Sequence, residues 1–487
     1  MSDLTSLNLT ELRDGLDKKT FSSVELTKSY LDKINKLKEL NCYTEVCGDS
    51  ALGEAAAADK EISNGKSSKK LLGIPVAIKD VILTKGIRTT CSSKILADFI
   101  PPYDATVITK LKADGAVIVG KTNMDEFAMG SSSENSMFGP VKNPWDKSRV
   151  PGGSSGGSAV AVSAQVAPVS LGSDTGGSIR QPAAFCGVVG LRPTYGRVSR
   201  YGVIAYASSL DQVGIFSKNV KDCAIATQVI SGRDLNDATS ADLAVPDLEA
   251  EVGKDIKGMR LGVPKEYFVK GLNSEIEAAV KEAINVYTKL GAEIVEISLP
   301  NTEYAVPCYY VLAPAEASSN LARYDGIRFG HRAKDTLNLY ELYCKSRSEG
   351  FGEEVKRRIM IGSYVLSSGF YDAYYRRAQK VRSLIAKDFS DAFKDKCDLI
   401  ISPTTPTSAF KLGAKSDDPI EMYLNDIFTI PVNLAGLPGI SIPCGLDSSN
   451  LPIGLQLIGN VWDEAKIIRA AAAFESSTEW HKKFPEV

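Results

Sequence analysis

The sequence predicts an α/β fold in one large domain, with a β-sheet covered by helices on both faces. Three observations predict it. Short apolar runs rich in β-branched residues recur along the 487 residues, two of them follow an amphipathic helix closed by a glycine, and they come from both ends of the chain, as one α/β sheet allows.

In chain order, the first segment, 1–70, reads as helices. "SSVE" (Ser22 to Glu25) has capping-box spacing ahead of "LTKSYLDKINKL". "LLGIPVAIKD" (Leu71 to Asp80) is a buried strand ending at a charged pair. The helix "TVITKLKADG" leads into the strand "AVIVG", and the same unit returns as "EIEAAVKEAINVYTKLGAEIVEI". There Ile276, Val280, Ile284 and Tyr287 keep helical spacing and Gly291 stops the helix. From Gly232 to Gly258 the chain is polar and Asp-rich, which suits a linker or a surface excursion. Strand-like "MRLGVP", "CDLIISP", "GISIPCG" and "PIGLQLIG" follow, with helical stretches from Glu353 to Lys394. One domain therefore divides into 1–70, a glycine-rich segment 71–232, and 259–487.

Composition excludes several classes. A net charge of −2 leaves no long basic groove, so a nucleic acid, if involved, is gripped by another polypeptide. The opening residues lack a basic start with an apolar core, so no signal peptide is expected. The most apolar long stretch, "AVAVSAQVAPVSLG", is broken by Gln165, Pro168 and serines, so no membrane span is expected and the chain reads as cytoplasmic. Nine cysteines without a C-x-x-C read as buried free thiols, and no structural metal is expected.

The stretch "GSDTGGSIRQPAA", Gly172 to Ala184, is either a phosphate cradle or a turn that aims Ser178 at a carbonyl carbon. The P-loop pattern fails, because Gly65–Lys66–Ser67 has Lys60 where a glycine is required. "PGGSSGGSAVAV" does not match the dinucleotide fingerprint, although its amides remain able to bind an anion. The nucleophile reading joins three pieces. Gly176 and Gly177 allow a tight turn that points successive N–H groups into one space, as an oxyanion hole requires. Ser154, in a second Gly/Ser turn, both donates and accepts a hydrogen bond. Lys79 ends an apolar strand whose surroundings favour the neutral amine that a general base requires, at a cost of roughly 4–5 kcal/mol at pH 7. Singly, a strand-end lysine is ordinarily a surface residue and a serine in such a turn merely a turn residue. His331 and His481, the two histidines, offer no obvious base.

Gly152 to Ala183, "GGSSGGSAVAVSAQVAPVSLGSDTGGSIRQPA", resembles the amidase signature of the amidase signature family without a departure, and the resemblance reaches upstream to "GIPVAIKD". It implies a single α/β domain with a mixed sheet between helices, in which 71–232 is the catalytic core. It also implies a Ser–Ser–Lys triad: Ser178 as acyl-forming nucleophile, Ser154 as bridging hydroxyl after a cis Gly153–Ser154 bond, and Lys79 as base. "SDTGGS" is then a nucleophile turn, the amides of Thr175, Gly176, Gly177 and Ser178 facing the oxyanion. Asp174, Arg180 and Asp211 orient it.

"MDEFAMGSSSENSMFGPVKNPWD" and "TIPVNLAGLPGISIPCG" most resemble the branch of the family that hydrolyses glutamine for tRNA-dependent amidotransferases. Free glutamine needs one cation and one anion at fixed separation, and an Arg fork suits its carboxylate. The resemblance points to Arg358 in "VKRRIMIG" and Asp426 in "MYLNDIFT", with Tyr309, Gly130 and Ser131 as further contacts. The plainer reading puts Arg357–Arg358 on a solvated helix face. The resemblance also implies the B and C subunits of a heterotrimeric amidotransferase as partners. The B subunit holds most of the misacylated tRNA and uses ATP and Mg, and this chain has no cofactor of its own. Glu-tRNA(Gln) is the expected acceptor, with Asp-tRNA(Asn) as an alternative. A free-standing amidase for small aliphatic or aryl amides is the competing activity, and a non-enzymatic scaffold the competing class.

Overall fold

The structure is a computed structural model that describes residues 3–65, 68–268, 271–414 and 419–487. Lys66 and Ser67 of the Gly65–Lys66–Ser67 triplet lie outside the described residues.

Among the described residues eleven strands form one mixed sheet: β1 (Tyr43–Val46), β2 (Pro75–Lys79), β3 (Val117–Thr122), β4 (Val169–Asp174), β5 (Val189–Arg192), β6 (Gln212–Ser217), β7 (Arg260–Pro264), β8 (Glu293–Ile297), β9 (Leu399–Pro403), β10 (Gly439–Leu446) and β11 (Pro452–Gly459). Their spatial order is β1-β3-β2-β4-β6-β5-β10-β11-β9-β7-β8. β3, β2 and β4 run parallel, as do β9, β7 and β8, while the strands between these blocks pair antiparallel. The two halves of the chain meet where β5 pairs with β10, Leu191 opposite Ile440.

Side chains alternate between two cores, as a sheet covered on both faces requires. Val76 and Ile78 of β2 enter the larger cluster and Ala77 the smaller; Ile118 and Val117 of β3 divide the same way. The helices Gly156–Ser163 and Gly48–Ser63 supply the smaller cluster, whereas Val220–Ile230, Ser274–Lys289 and Glu464–Ser476 supply the larger.

The capping box forms as its spacing predicts, Ser22 capping Ser23–Lys36 with Glu25 returning the bond. Gly291, at φ +86°, follows the end of Ser274–Lys289 and precedes β8. The 1–70 segment differs from expectation: besides three helices it contributes β1, a four-residue edge strand too short to show alternation. The Asp-rich stretch from Gly232 is a surface excursion. Asp234 accepts from Thr106 Oγ1 at 2.5 Å and Ser199 Oγ at 2.6 Å, and Leu248 is buried.

Candidate active site

The site is built where β2 and β4 end side by side. All five residues of β2 are buried, and the strand delivers Lys79 into the interior with no exposure. Facing it is the Gly/Ser turn, where Gly152 adopts φ +82° and the Gly153–Ser154 bond is cis. The helix Gly156–Ser163 then carries the chain away. Lys79 Nζ lies 2.8 Å from Ser154 Oγ, 2.7 Å from Ser155 Oγ and 2.9 Å from Ser173 Oγ, with the Ser173 carbonyl at 3.3 Å. Ser155 Oγ spends its proton on the Ser173 carbonyl at 3.0 Å, so toward the amine it acts as acceptor. Ser154 is free to donate to a neutral amine. Burial pushes Lys79 down to about 7, although the more distant Asp125, Asp174 and Asp211 favour its charged form.

After β4 the chain turns through Thr175–Ser178 into the helix Arg180–Cys186. Ser178 keeps 7% exposure, its carbonyl accepts from Ser155 N–H at 3.3 Å, and its hydroxyl has no hydrogen-bond partner among the described residues. The N–H groups of Thr175, Gly176 and Ser178 are likewise unbonded there. Gly177 departs from the expected oxyanion set: its N–H donates to Asp174 Oδ1 at 2.9 Å, turning away to brace the loop. Both glycines are required by close approach. A Cβ on Gly176 would stand 2.8 Å from the Tyr309 ring, and Gly177, at φ +138°, leaves no room beside Thr429.

Asp174 braces the turn from beneath. It accepts from Ile179 N–H at 3.2 Å and Asn433 Nδ2 at 2.7 Å, and pairs with Arg180 at 3.2 Å and Arg192 at 3.5 Å. Burial raises its pKa, but the two guanidiniums outweigh burial and hold the carboxyl well below the usual range. Asp211 accepts from Thr175 Oγ1 at 2.6 Å.

Arg358 is 2% exposed, which removes the solvated-face reading; its neighbour Arg357 is the one that faces solvent. The guanidinium lies among the rings of Tyr206, Tyr310 and Tyr423, 5.6, 5.3 and 5.6 Å from their centroids. Its Nε donates to Glu354 Oε1 at 2.8 Å and Nη1 to Tyr206 Oη at 2.7 Å, while Nη2 has no partner among the described residues. Asp426 is 6% exposed, accepts from Ser131 Oγ, and leaves Oδ1 without a partner among the described residues. Burial pushes its carboxyl up to about 7, more than the Ser131 hydroxyl lowers it. Tyr309 packs over Gly176 and edge-on against Tyr310, 5.0 Å between centroids, and so joins the turn to the Arg358 cage. Gly130 lies against Asp125, where a side chain would not fit.

The sequence reading missed Ser155 and Ser173, although both sit inside the quoted "GGSSGGS" and "GSDTGGS" and a run of hydroxyls was the available signal. It also missed Gln181, which accepts from Gly153 N–H at 2.9 Å and donates to the Ser131 carbonyl at 2.8 Å. Glu354 was detectable as the residue four before Arg358. His331 pairs with Glu349 at 2.7 Å and touches none of these groups. The nine cysteines are unpaired thiols, eight of them buried and Cys344 exposed. Among the described residues no three His, Cys, Asp or Glu side chains are arranged to hold a metal ion, and no helix is long and apolar enough to cross a membrane.

A mixed α/β sheet that ends in a buried lysine–serine cluster beside a glycine-rich turn defines an amide-hydrolase architecture, and a family model described as Amidase matches residues 25–468. The chain belongs to the amidase family. It is 58% identical over 482 residues, 99% of each chain, to the A subunit of the glutamyl-tRNA(Gln) amidotransferase of Geotalea daltonii. The crystal structure of the A subunit of the glutamyl-tRNA(Gln) amidotransferase from Thermotoga maritima matches with a TM-score of 0.84 at 44% identity, covering 100% of this chain and 99% of that one. A peptide amidase in complex with the competitive inhibitor chymostatin matches at TM-score 0.86 and 30% identity, covering 99% of each chain.

Proposed function

We propose that this chain is the glutamine-hydrolysing component of a glutamyl-tRNA(Gln) amidotransferase. The observation that carries the chemistry is the 2.8 Å bond between buried Lys79 and Ser154, whose neighbour Ser155 donates its N–H to the Ser178 carbonyl at 3.3 Å. Glutamine docks with its α-carboxylate on the free edge of Arg358 and its α-ammonium on Asp426, which presents its side-chain amide to Ser178. Neutral Lys79 accepts the Ser154 proton as Ser154 takes that of Ser178, and Ser178 Oγ attacks the amide carbon. The amide oxygen gains the negative charge and meets the N–H groups of Thr175, Gly176 and Ser178. Collapse breaks the C–N bond. The relay returns its proton to the departing nitrogen, so ammonia leaves and a glutamyl ester remains on Ser178. Water, deprotonated by the same relay, frees glutamate.

Ammonia then passes to a partner polypeptide, which with ATP and Mg activates the misacylated Glu-tRNA(Gln), or Asp-tRNA(Asn), in the cytoplasm. The B and C subunits complete the assembly, and the near-neutral charge of this chain agrees with the tRNA being held elsewhere. The test is a glutaminase assay on the copurified complex. Ser178→Ala reduces ammonia release to background while glutamine still binds by calorimetry, and retained turnover contradicts the assignment. A free-standing amidase would instead cleave uncharged amides at a rate insensitive to Arg358→Ala.

A further inference from the structure

Glu126 is a buried carboxylate, 6% exposed, that the chemistry above does not use. Ser93 Oγ donates to its Oε1, and the N–H of Gly352 donates to its Oε2 at 2.9 Å. Gly352 is the N-cap of the 14-residue helix Glu353–Leu366, and it has no side chain with which to cap it. A Cβ at Gly352 would collide with Glu126 Oε2. A carboxylate from a distant part of the sequence thus accepts the N-cap's own N–H, the bond that the third-position Glu of a capping box ordinarily takes, at the positive end of the helix dipole. Arg358 stands about 9 Å along the same helix.

The adjoining residue faces the other way. Asp125 N–H donates to the Ser154 carbonyl at 3.2 Å, its carboxylate accepts from Ser133 N–H at 2.9 Å and Asn135 N–H at 3.2 Å, and it lies against Gly153. Phe127 and Ala128 then take left-handed conformations, φ +50° and +60°, which non-glycine residues hold only where their surroundings over-determine them. Phe127 packs 5.6 Å from Phe351, the residue before Gly352, and 5.1 Å from Tyr324. The dipeptide Asp125–Glu126 therefore touches the backbone of Ser154 on one side and the start of the Arg358 helix on the other.

We propose that Glu126 is a positioning residue for glutamine: it anchors the Arg358 helix to the loop behind Ser154 and so fixes where the guanidinium receives the substrate carboxylate relative to Ser178. This rests on the reading of Arg358 as the carboxylate clamp. The test uses the full chain copurified with its partner polypeptides. Glutamine Kd is measured by calorimetry in a Ser178→Ala background, and KM and kcat in the enzyme with Ser178 intact. Glu126→Ala raises Kd and KM about tenfold, the scale of one charge-assisted hydrogen bond, with kcat far less affected. Glu126→Gln, which keeps the shape and one acceptor, raises them less, and it decides the matter should Glu126→Ala fail to fold. In an Arg358→Ala background Glu126→Ala adds little, because residues acting through one another are not additive. Unchanged Kd and KM in the Glu126 variants, alongside a loss in Arg358→Ala, overturn the positioning role alone, and so does full additivity of the two substitutions. Arg358→Ala without effect on glutamine binding overturns the clamp itself, and the positioning role with it.

Discussion

Lys79 and Arg358 are both buried basic side chains, with 0% and 2% exposure, yet their surroundings drive them to opposite roles. Lys79 meets three hydroxyls and a carbonyl, none of which balances a charge, and burial pushes it down to about 7. Arg358 meets three tyrosine faces and the Glu354 carboxylate, a setting for a cation that cannot be deprotonated. One pocket favours the neutral amine; the other holds a positive charge whose Nη2 has no partner among the described residues. Neutral oxygen neighbours and π faces with a carboxylate are therefore not interchangeable ways to bury nitrogen.

Substitutions break this contrast in a graded way. The largest effect belongs to Lys79→Ala, which removes the base and lowers kcat for glutamine by ~10²–10⁴, with folding checked by thermal melting and glutamine binding by calorimetry. Arg358→Ala comes next: KM rises ~10–100-fold while kcat falls far less, read from glutaminase kinetics on the complex. Arg358→Lys recovers little of that loss, because a point charge cannot serve Glu354, Tyr206 and a substrate carboxylate together. The smallest effect is that of Ser155→Ala, which removes an acceptor from Lys79 but leaves the Ser154 link, and costs ~10-fold or less in kcat.

The two regions also differ in how far the sequence exposes them. Lys79, Ser154 and Ser178 lie on short local signals, a strand end and two Gly/Ser turns, so local pattern and family resemblance point to the same atoms. The Arg358 pocket is assembled from helices and loops far apart in the chain: Tyr206, Tyr310, Glu354 and Tyr423 converge through packing that no local period encodes. Composition even favours a solvated Arg358, and burial reverses that. The recognisable strands are apolar and β-branched, such as β2 and β9. β4 reads VSLGSD, and its glycine and serines hide a central strand whose two neighbours and buried position hold it in the sheet. Gly177 shows the same limit at atomic scale, since the pattern gives a turn but not which N–H turns toward Asp174.

The most direct test of the hydroxyl relay is the pH dependence of Ser178 labelling by a fluorophosphonate, a probe without the α-ammonium that would involve Asp426. Only the unprotonated amine takes a proton, so the account predicts a labelling rate that climbs as pH rises through about 7 and then levels, with that step absent in Lys79→Ala. A rate that is flat across the same range, or a step that survives in Lys79→Ala, contradicts it.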